Sequence, residues 1–287
     1  MTTDVKLTVD SHVHLWDLSV RTQPWIDPVN MAAINRDFHP EELQATMIAA
    51  DVDRAVLVQV LNRWDETHDL IRQAHSSPVI VSVVGWIDLT RPDIGEQLEQ
   101  RDPLLVGIRH QALAEPDPPA WFMRQDVQRG LSVLSRHRMP FDVMLHWHQL
   151  PSALLVLNGL PEVDVIIDHA GKPPIADGIA GPRYQDWRRV MRLCAQRERL
   201  WCKLSGLTTM AAERWTVQDL YPFIDDILDI YGPHRVLFGS DWPVSSRRGP
   251  YRELVEAIRS AVATFSPTEQ AAIMGGNALR LYSVHHG

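Results

Sequence analysis

The chain has only two cysteines in 287 residues, Cys194 and Cys202. That is too few for a disulfide framework, so a reducing compartment is the simpler expectation, with both thiols as packing residues. Positive charge is also short, with 28 Lys and Arg against 36 Asp and Glu, a formal net charge of −8. The deficit argues against nucleic acid and anionic membrane as partners, since both need a basic face. No apolar run approaches the length of a membrane span. The first nine residues, with Asp4 and Lys6, lack the apolar core of a secretory leader, so a cytoplasmic location is the default expectation. Neither Gly-x-Gly-x-x-Gly nor Gly-x-x-x-x-Gly-Lys follows any apolar run, which leaves nucleotide binding unsupported. Internal repeats, low-complexity tracts and dividing linkers are absent too, so one domain over 1–287 is expected.

What is present is an ordinary enzyme-like composition, 45% apolar and 22% charged, with ten tryptophans and 13 histidines. The stretch Val9-Asp10-Ser11-His12-Val13-His14 reads as a strand whose period of two aims Asp10, His12 and His14 the same way. Two imidazoles would then converge on one point, a pair suited to zinc, manganese or iron, or simply to capping a strand end. Residues 15–38, with Pro24, Trp25 and Pro28, read as a long loop over one end of the domain.

A regular alternation follows. Strand-like runs are read at 54–60, 79–86, 104–109, 141–146, 163–168, 200–204 and 235–239, separated by helical patterns and closed by helices over 251–263 and 267–282. The run Arg54-Ala-Val-Leu-Val-Gln-Val60 is continuously apolar at strand length, the mark of a strand covered on both faces. Eight strands alternating with helices predict a closed (β/α)₈ barrel, with an open doubly wound sheet as the second choice.

Barrel chemistry sits at the C-terminal strand ends, so the polar residue where each run stops is the informative one. These are His12 and His14, Gln59, Trp86, Arg109 with His110, His146, Asp168 with His169, Lys203 with Ser205, and Asp241; Gly171-Lys172-Pro173 follows the sixth run. Each alone is compatible with a structural role. Together they offer nitrogen and oxygen ligands and an acid or base around one cavity. Arg109 reads equally as a fork of donors for paired substrate oxygens or as a salt bridge to a loop acid such as Asp88. Lys203 reads equally as a substrate contact or as an ion pair with Asp168 or another neighbour inside the barrel.

In this order the motifs resemble the amidohydrolase superfamily, in its amidohydrolase-related branch of metal-dependent barrel hydrolases that contains sugar-acid lactonases such as fuconolactonase. The carrying segments are Val9–His14, Val84-Gly85-Trp86-Ile87-Asp88-Leu89, Gly107-Ile108-Arg109-His110-Gln111, Ile167-Asp168-His169-Ala170-Gly171-Lys172-Pro173, Cys202-Lys203-Leu204-Ser205-Gly206-Leu207 and Phe238-Gly239-Ser240-Asp241-Trp242-Pro243, with Asn277–Tyr282 like the family's closing helix. The resemblance implies a hydrolase that opens the lactone ring of a sugar acid, such as a fucono-, rhamnono- or galactonolactone. Asp241 is then the general base, and His169 the donor to the developing oxyanion. Arg109, Lys172, Trp86, Gln59 and Lys203 are implied to bind substrate. His12, His14, Asp241 and His146 are the implied ligands of one divalent metal, zinc for choice, although a metal-free lactonase is the open alternative. No lysine near 104–109 offers the bridging carbamate of two-metal members. A metal-dependent decarboxylase and a non-catalytic sugar-acid binding protein are the other functional readings, and assembly as a homo-oligomer is left open.

Overall fold

The computed structural model describes residues 7–160 and 162–283, so Asp4 and Lys6 lie outside the described residues. Eight parallel strands run in sequence order around one sheet: β1 (Val9–Val13), β2 (Arg54–Val58), β3 (Ile80–Gly85), β4 (Leu105–His110), β5 (Phe141–Val143), β6 (Val165–Ile167), β7 (Leu200–Leu204) and β8 (Val236–Phe238). Between them lie α1 (Pro40–Ile48), α2 (Trp64–Ser76), α3 (Ile94–Glu99), α4 (Pro118–Met123), α5 (Gln125–Arg136), α6 (Leu150–Leu157), α7 (Pro182–Ala195), α8 (Leu207–Met210) and α9 (Val217–Tyr231). After β8 come α10 (Tyr251–Ala261), α11 (Pro267–Ala271), a π-turn (Ala272–Gly276) and α12 (Asn277–Leu281). This is a (β/α)₈ barrel. The seam between β8 and β1 is closed by the extensions of both strands, where His14 N–H donates to the Trp242 carbonyl (2.7 Å) and Asp241 N–H to the His12 carbonyl (2.8 Å).

Alternation sorts the apolar residues into two layers. Ala55, Leu57, Val83, Ile108, Phe141, Val165, Ile167, Leu200, Leu204, Val236 and Phe238 face outward and pack under the helices. Val9, Val56, Val58, Val84, Ile166, Trp201 and Leu237 face inward and meet Ala278, Leu281 and Tyr282, so α12 plugs the bottom of the barrel. Cys194 and Cys202 are buried free thiols in the outer layer, as expected of packing residues.

One expectation about β1 is corrected. The pairing of β1 with β2 slips between Asp10 and Val13, a bulge that breaks the period of two. His12 and His14 therefore still point inward, while Asp10 turns outward to accept hydrogen bonds from Ser240 N–H (2.8 Å) and the Tyr251 hydroxyl of α10 (3.0 Å). Burial pushes its carboxyl up to about 6. The long loop after β1 is tied down at its base: Trp16 and Phe38 form an antiparallel bridge, and Phe38 packs edge-on against both Trp16 and Trp242.

Candidate active site

The site is a buried group at the C-terminal ends of β1 and β8. His12, His14 and Asp241 are each no more than 5% exposed. His14 Nδ1 lies 2.8 Å from the Val58 carbonyl oxygen. A carbonyl only accepts, so Nδ1 carries the proton and Nε2 presents a lone pair to the cavity. That Nε2 is 3.2 Å from His12 Nε2 and 3.2 Å from Asp241 Oδ1, while His12 Nε2 and Asp241 Oδ1 are 3.8 Å apart.

Acceptors this close repel one another unless a proton or a metal ion lies among them. A tetrahedral ion with Zn–N bonds of ~2.0–2.1 Å holds its ligands about 3.3 Å apart, near the observed separations. Two imidazole nitrogens and a carboxylate oxygen also suit zinc, manganese or iron, so these residues fit a single divalent ion. Arg109 Nη1 reaches the same His12 Nε2 at 3.2 Å, so a guanidinium shares this corner of the site. A second cluster, His12 with Asp168 and His169, also has metal-ligand spacing, but its carboxylate is already matched by Arg109 and Lys203.

Below the histidines lies a charged layer that the helices and α12 seal from water. Lys203 Nζ contacts Asp142 Oδ2 at 2.5 Å and Asp168 Oδ1 at 3.2 Å; Arg109 Nη1 donates to Asp168 Oδ2 at 3.0 Å. Two cations face two anions, a pairing that offsets part of the cost of taking these charges out of water. Burial alone would raise Asp168, but the Lys203 ammonium, His12 and Arg109 hold it well below the usual carboxylate range. For Asp142, burial wins over Lys203, and its carboxyl rises to about 6.

Asp241 and His169 owe their positions to backbone that sequence rules do not foresee. Asp241 has φ 64°, and the turn after β6 runs through four successive left-handed residues, His169 (55°), Ala170 (50°), Gly171 (68°) and Lys172 (58°). Such conformations cost about 1–3 kcal/mol at each non-glycine residue and survive where the surroundings over-determine them. Here Trp187 Nε1 donates to the Ala170 carbonyl (2.9 Å), and His169 Nδ1 meets Ser205 Oγ (2.9 Å). Gly206, at φ +61°, makes the room, because a Cβ there would stand 2.8 Å from His169 Nδ1 and 2.9 Å from Asp241 Oδ2. Burial pushes the His169 imidazole down to about 4, so the ring is neutral near pH 7. Burial would lift Asp241, yet the imidazoles around it, His169 first and then His14 and His12, overcome it and keep the carboxylate well below its ordinary range.

The remaining expected residues divide. Lys172 lies near Asp241 and Arg109, and burial lowers its amine. Gln59 is fully buried: its Nε2 donates to the Arg109 carbonyl (3.0 Å), while Oε1 has no partner among the described residues. Trp86 is half-buried at the mouth end of β3. Arg109 pairs with Asp168 rather than Asp88, and also donates to the Gln59 carbonyl. Lys203 has the ion-pair environment, enclosed between two carboxylates rather than open to the cavity. His146 is not brought to the group: β5 ends at Val143, three residues earlier than the apolar run suggests, and His146 instead caps the exposed turn Trp147–Gln149 and stacks on His148. Sequence reasoning gave no role to Asp142, Glu66 or Gly206, although an acid inside the apolar run Phe141-Asp142-Val143 is itself a sign of an interior partner.

Known proteins resemble this chain in sequence and in fold. A family model described as Amidohydrolase matches residues 9–284. The chain is 34% identical to an L-fucono-1,5-lactonase of Burkholderia multivorans over 97% of this chain and 96% of that protein, and 32% identical to one of Burkholderia ambifaria over 96% and 95%. A crystal structure of an amidohydrolase from Burkholderia multivorans with bound zinc superposes with a TM-score of 0.90 at 34% identity, covering 96% of this chain and 99% of that one. Barrel, inward imidazole pair and a family match running from β1 to the closing helix all point one way: this chain belongs to the amidohydrolase family.

Proposed function

We propose that the chain, as one barrel domain, opens the lactone ring of a sugar acid by adding water to the ring carbonyl. The single observation that carries the reading is the buried convergence of His12 Nε2, His14 Nε2 and Asp241 Oδ1. The likeness to two named fuconolactonases supports a lactone as the substrate class. His12, His14 and Asp241 are the residues that would hold a divalent ion, zinc first; such an ion supplies Lewis acidity toward a carbonyl oxygen and lowers the pKa of bound water.

Asp241, ionised at neutral pH, accepts a proton from the water whose oxygen bonds to the carbonyl carbon. In the tautomer whose Nδ1 accepts from the Ser205 hydroxyl, neutral His169 carries its proton on Nε2 and donates toward the oxygen that gains charge. Collapse of the tetrahedral species breaks the carbon–ring-oxygen bond, and the proton held at Asp241 passes to the departing hydroxyl. Arg109, Lys172 and the free Gln59 Oε1 offer two cations and an acceptor to the substrate's carbonyl and hydroxyl oxygens.

The test is a pH-indicator screen of five- and six-membered aldonolactones, with and without chelator, alongside elemental analysis. Acid release from at least one lactone is expected. Asp241→Asn should lower turnover by ~10²–10⁴ while the melting temperature stays close to that of the parent. An Asp241→Asn protein within a few-fold of the parent removes the base assignment. Absence of acid release, or release of carbon dioxide from an aromatic acid instead, removes the lactonase reading.

A further inference from the structure

At the mouth end of β3 and β4 stands a second polar cluster that the reaction above does not use. Trp86 follows β3, and Thr67 grips its backbone twice: Trp86 N–H donates to Thr67 Oγ1 (2.8 Å), and the Thr67 hydroxyl donates to the Trp86 carbonyl (2.9 Å). The indole Nε1–H reaches His110 Nδ1 at 3.0 Å. An indole N–H only donates, so His110 Nδ1 is the bare nitrogen. The ring proton is therefore on Nε2, which donates to Glu115 Oε1 at 2.8 Å. His110 in turn lies flat on Trp121, with centroids 4.0 Å apart and an interplanar angle of 13°.

His110 is thus locked in one tautomer and one orientation by three partners, and its one acceptor is aimed at Trp86. It is also the neighbour in sequence of Arg109, and it ends the same strand. Asn62, within 3.5 Å of Gln59 Nε2 and accepting Gln111 N–H at 2.9 Å, joins this cluster to the residues beside His12. Trp86 is half-buried, and with its only polar atom already bonded what it can present is apolar ring, the kind of surface on which the C–H side of a sugar ring packs.

We propose that His110 is a positioning residue: it holds Trp86 as a fixed wall for the ring of a sugar-type substrate, and so selects hydroxylated ring lactones over small unsubstituted ones. The substrate class rests on the lactonase reading above, whereas the His110–Trp86 coupling does not.

Three variants separate this role from a merely structural one. In His110→Asn the side-chain carbonyl falls near the place of Nδ1 and can still accept the indole proton; in His110→Gln the amide reaches toward Glu115, the place of Nε2; His110→Leu offers neither. With the preferred aldonolactone, the Gln and Leu variants are expected to raise KM roughly three- to tenfold with kcat within about twofold, and Asn to stay near the parent. In a Trp86→Phe background the same three changes should leave KM where Trp86→Phe alone puts it. A measurement independent of activity runs alongside. The indole N–H resonance that disappears in Trp86→Phe should shift in the Gln and Leu variants, hold in Asn, and move when the aldonate is added.

Rescue by Gln but not Asn, effects that add independently to Trp86→Phe, or an indole resonance unmoved by His110→Leu would each overturn the proposal. If the parent protein opens no lactone, the substrate reading fails, and the resonance alone then decides whether His110 holds Trp86.

Discussion

Glu66 uses one carboxylate oxygen for two backbone N–H groups, those of Val60 (3.0 Å) and Leu61 (2.7 Å), in the turn that follows Gln59. The side chain is buried, and burial raises its carboxyl to about 7 despite those bonds. The native state therefore holds a proton that the unfolded chain, near 4.5, has already released. A raised acid means stability falls as pH rises through the interval from about 4.5 to 7, and Glu66 alone would contribute a loss on the order of 3 kcal/mol across it. His169, lowered to about 4, works in the opposite sense over part of the same range, so the parent's profile alone does not isolate Glu66. Glu66→Gln keeps an acceptor for both N–H groups but cannot ionise. The difference in unfolding free energy between parent and Glu66→Gln, taken at pH 5 and pH 8 by denaturant titration, should move in the variant's favour at pH 8. A difference that does not change with pH refutes the assignment.

At the scale of elements, the proposed chemistry depends on two turns rather than on the strands themselves. The left-handed run 169–172 after β6 swings His169 over the cavity, and the β7–α8 turn at Gly206 leaves the space into which both His169 and Asp241 project. Gly206→Ala is predicted to act twice. It forces an L side chain to φ +61°, costing about 1–2 kcal/mol, and it drives a methyl carbon against His169 and Asp241, the two side chains proposed to act on the lactone. Because small misplacements of catalytic groups can cost as much as ~10²-fold, kcat/KM should fall at least tenfold while the melting temperature drops by only a few degrees. Activity within twofold of the parent would show that the turn tolerates the methyl and that the two side chains are not held by it.

Across the whole molecule, the barrel interior is layered from bottom to top: an apolar plug supplied by α12, then the Asp142–Lys203–Asp168–Arg109 charges, then the imidazoles and Asp241. The Tyr282 hydroxyl joins the plug to the charges by donating to Asp142 Oδ1 at 2.7 Å. Tyr282→Phe leaves that oxygen buried without its donor, a loss of about 1–3 kcal/mol. Stability is expected to fall by this amount while kcat changes less than fivefold, since Lys203 still separates Asp142 from His12. Thermal unfolding and steady-state kinetics on the same preparation check both halves, and a variant as stable as the parent would show that the plug does not bear on the charged layer. No helix among the described residues is long and apolar enough to cross a membrane.

The barrel was legible in the chain because period and length suffice for it: apolar runs at strand length, each followed by a helical pattern, leave little but a closed α/β sheet, and parallel strands covered on both faces announce themselves by lacking polar alternation. The inward histidines were legible for the same reason, two positions apart on one strand. What alternation could not supply was the outward turn of Asp10, since a bulge changes the parity of a strand without marking the sequence. Nor could it place His146, because the end of a strand is set by when hydrogen-bonding to its neighbours stops, not by where its apolar letters end. The partners of Arg109 and Lys203 lie 59 and 61 residues away in the chain, and only closure of the barrel brings them within reach. Residue types settle what chemistry is available; long-range packing, which can hold left-handed backbone at Asp241 and His169 and balance four charges out of water, settles which of those residues face one another.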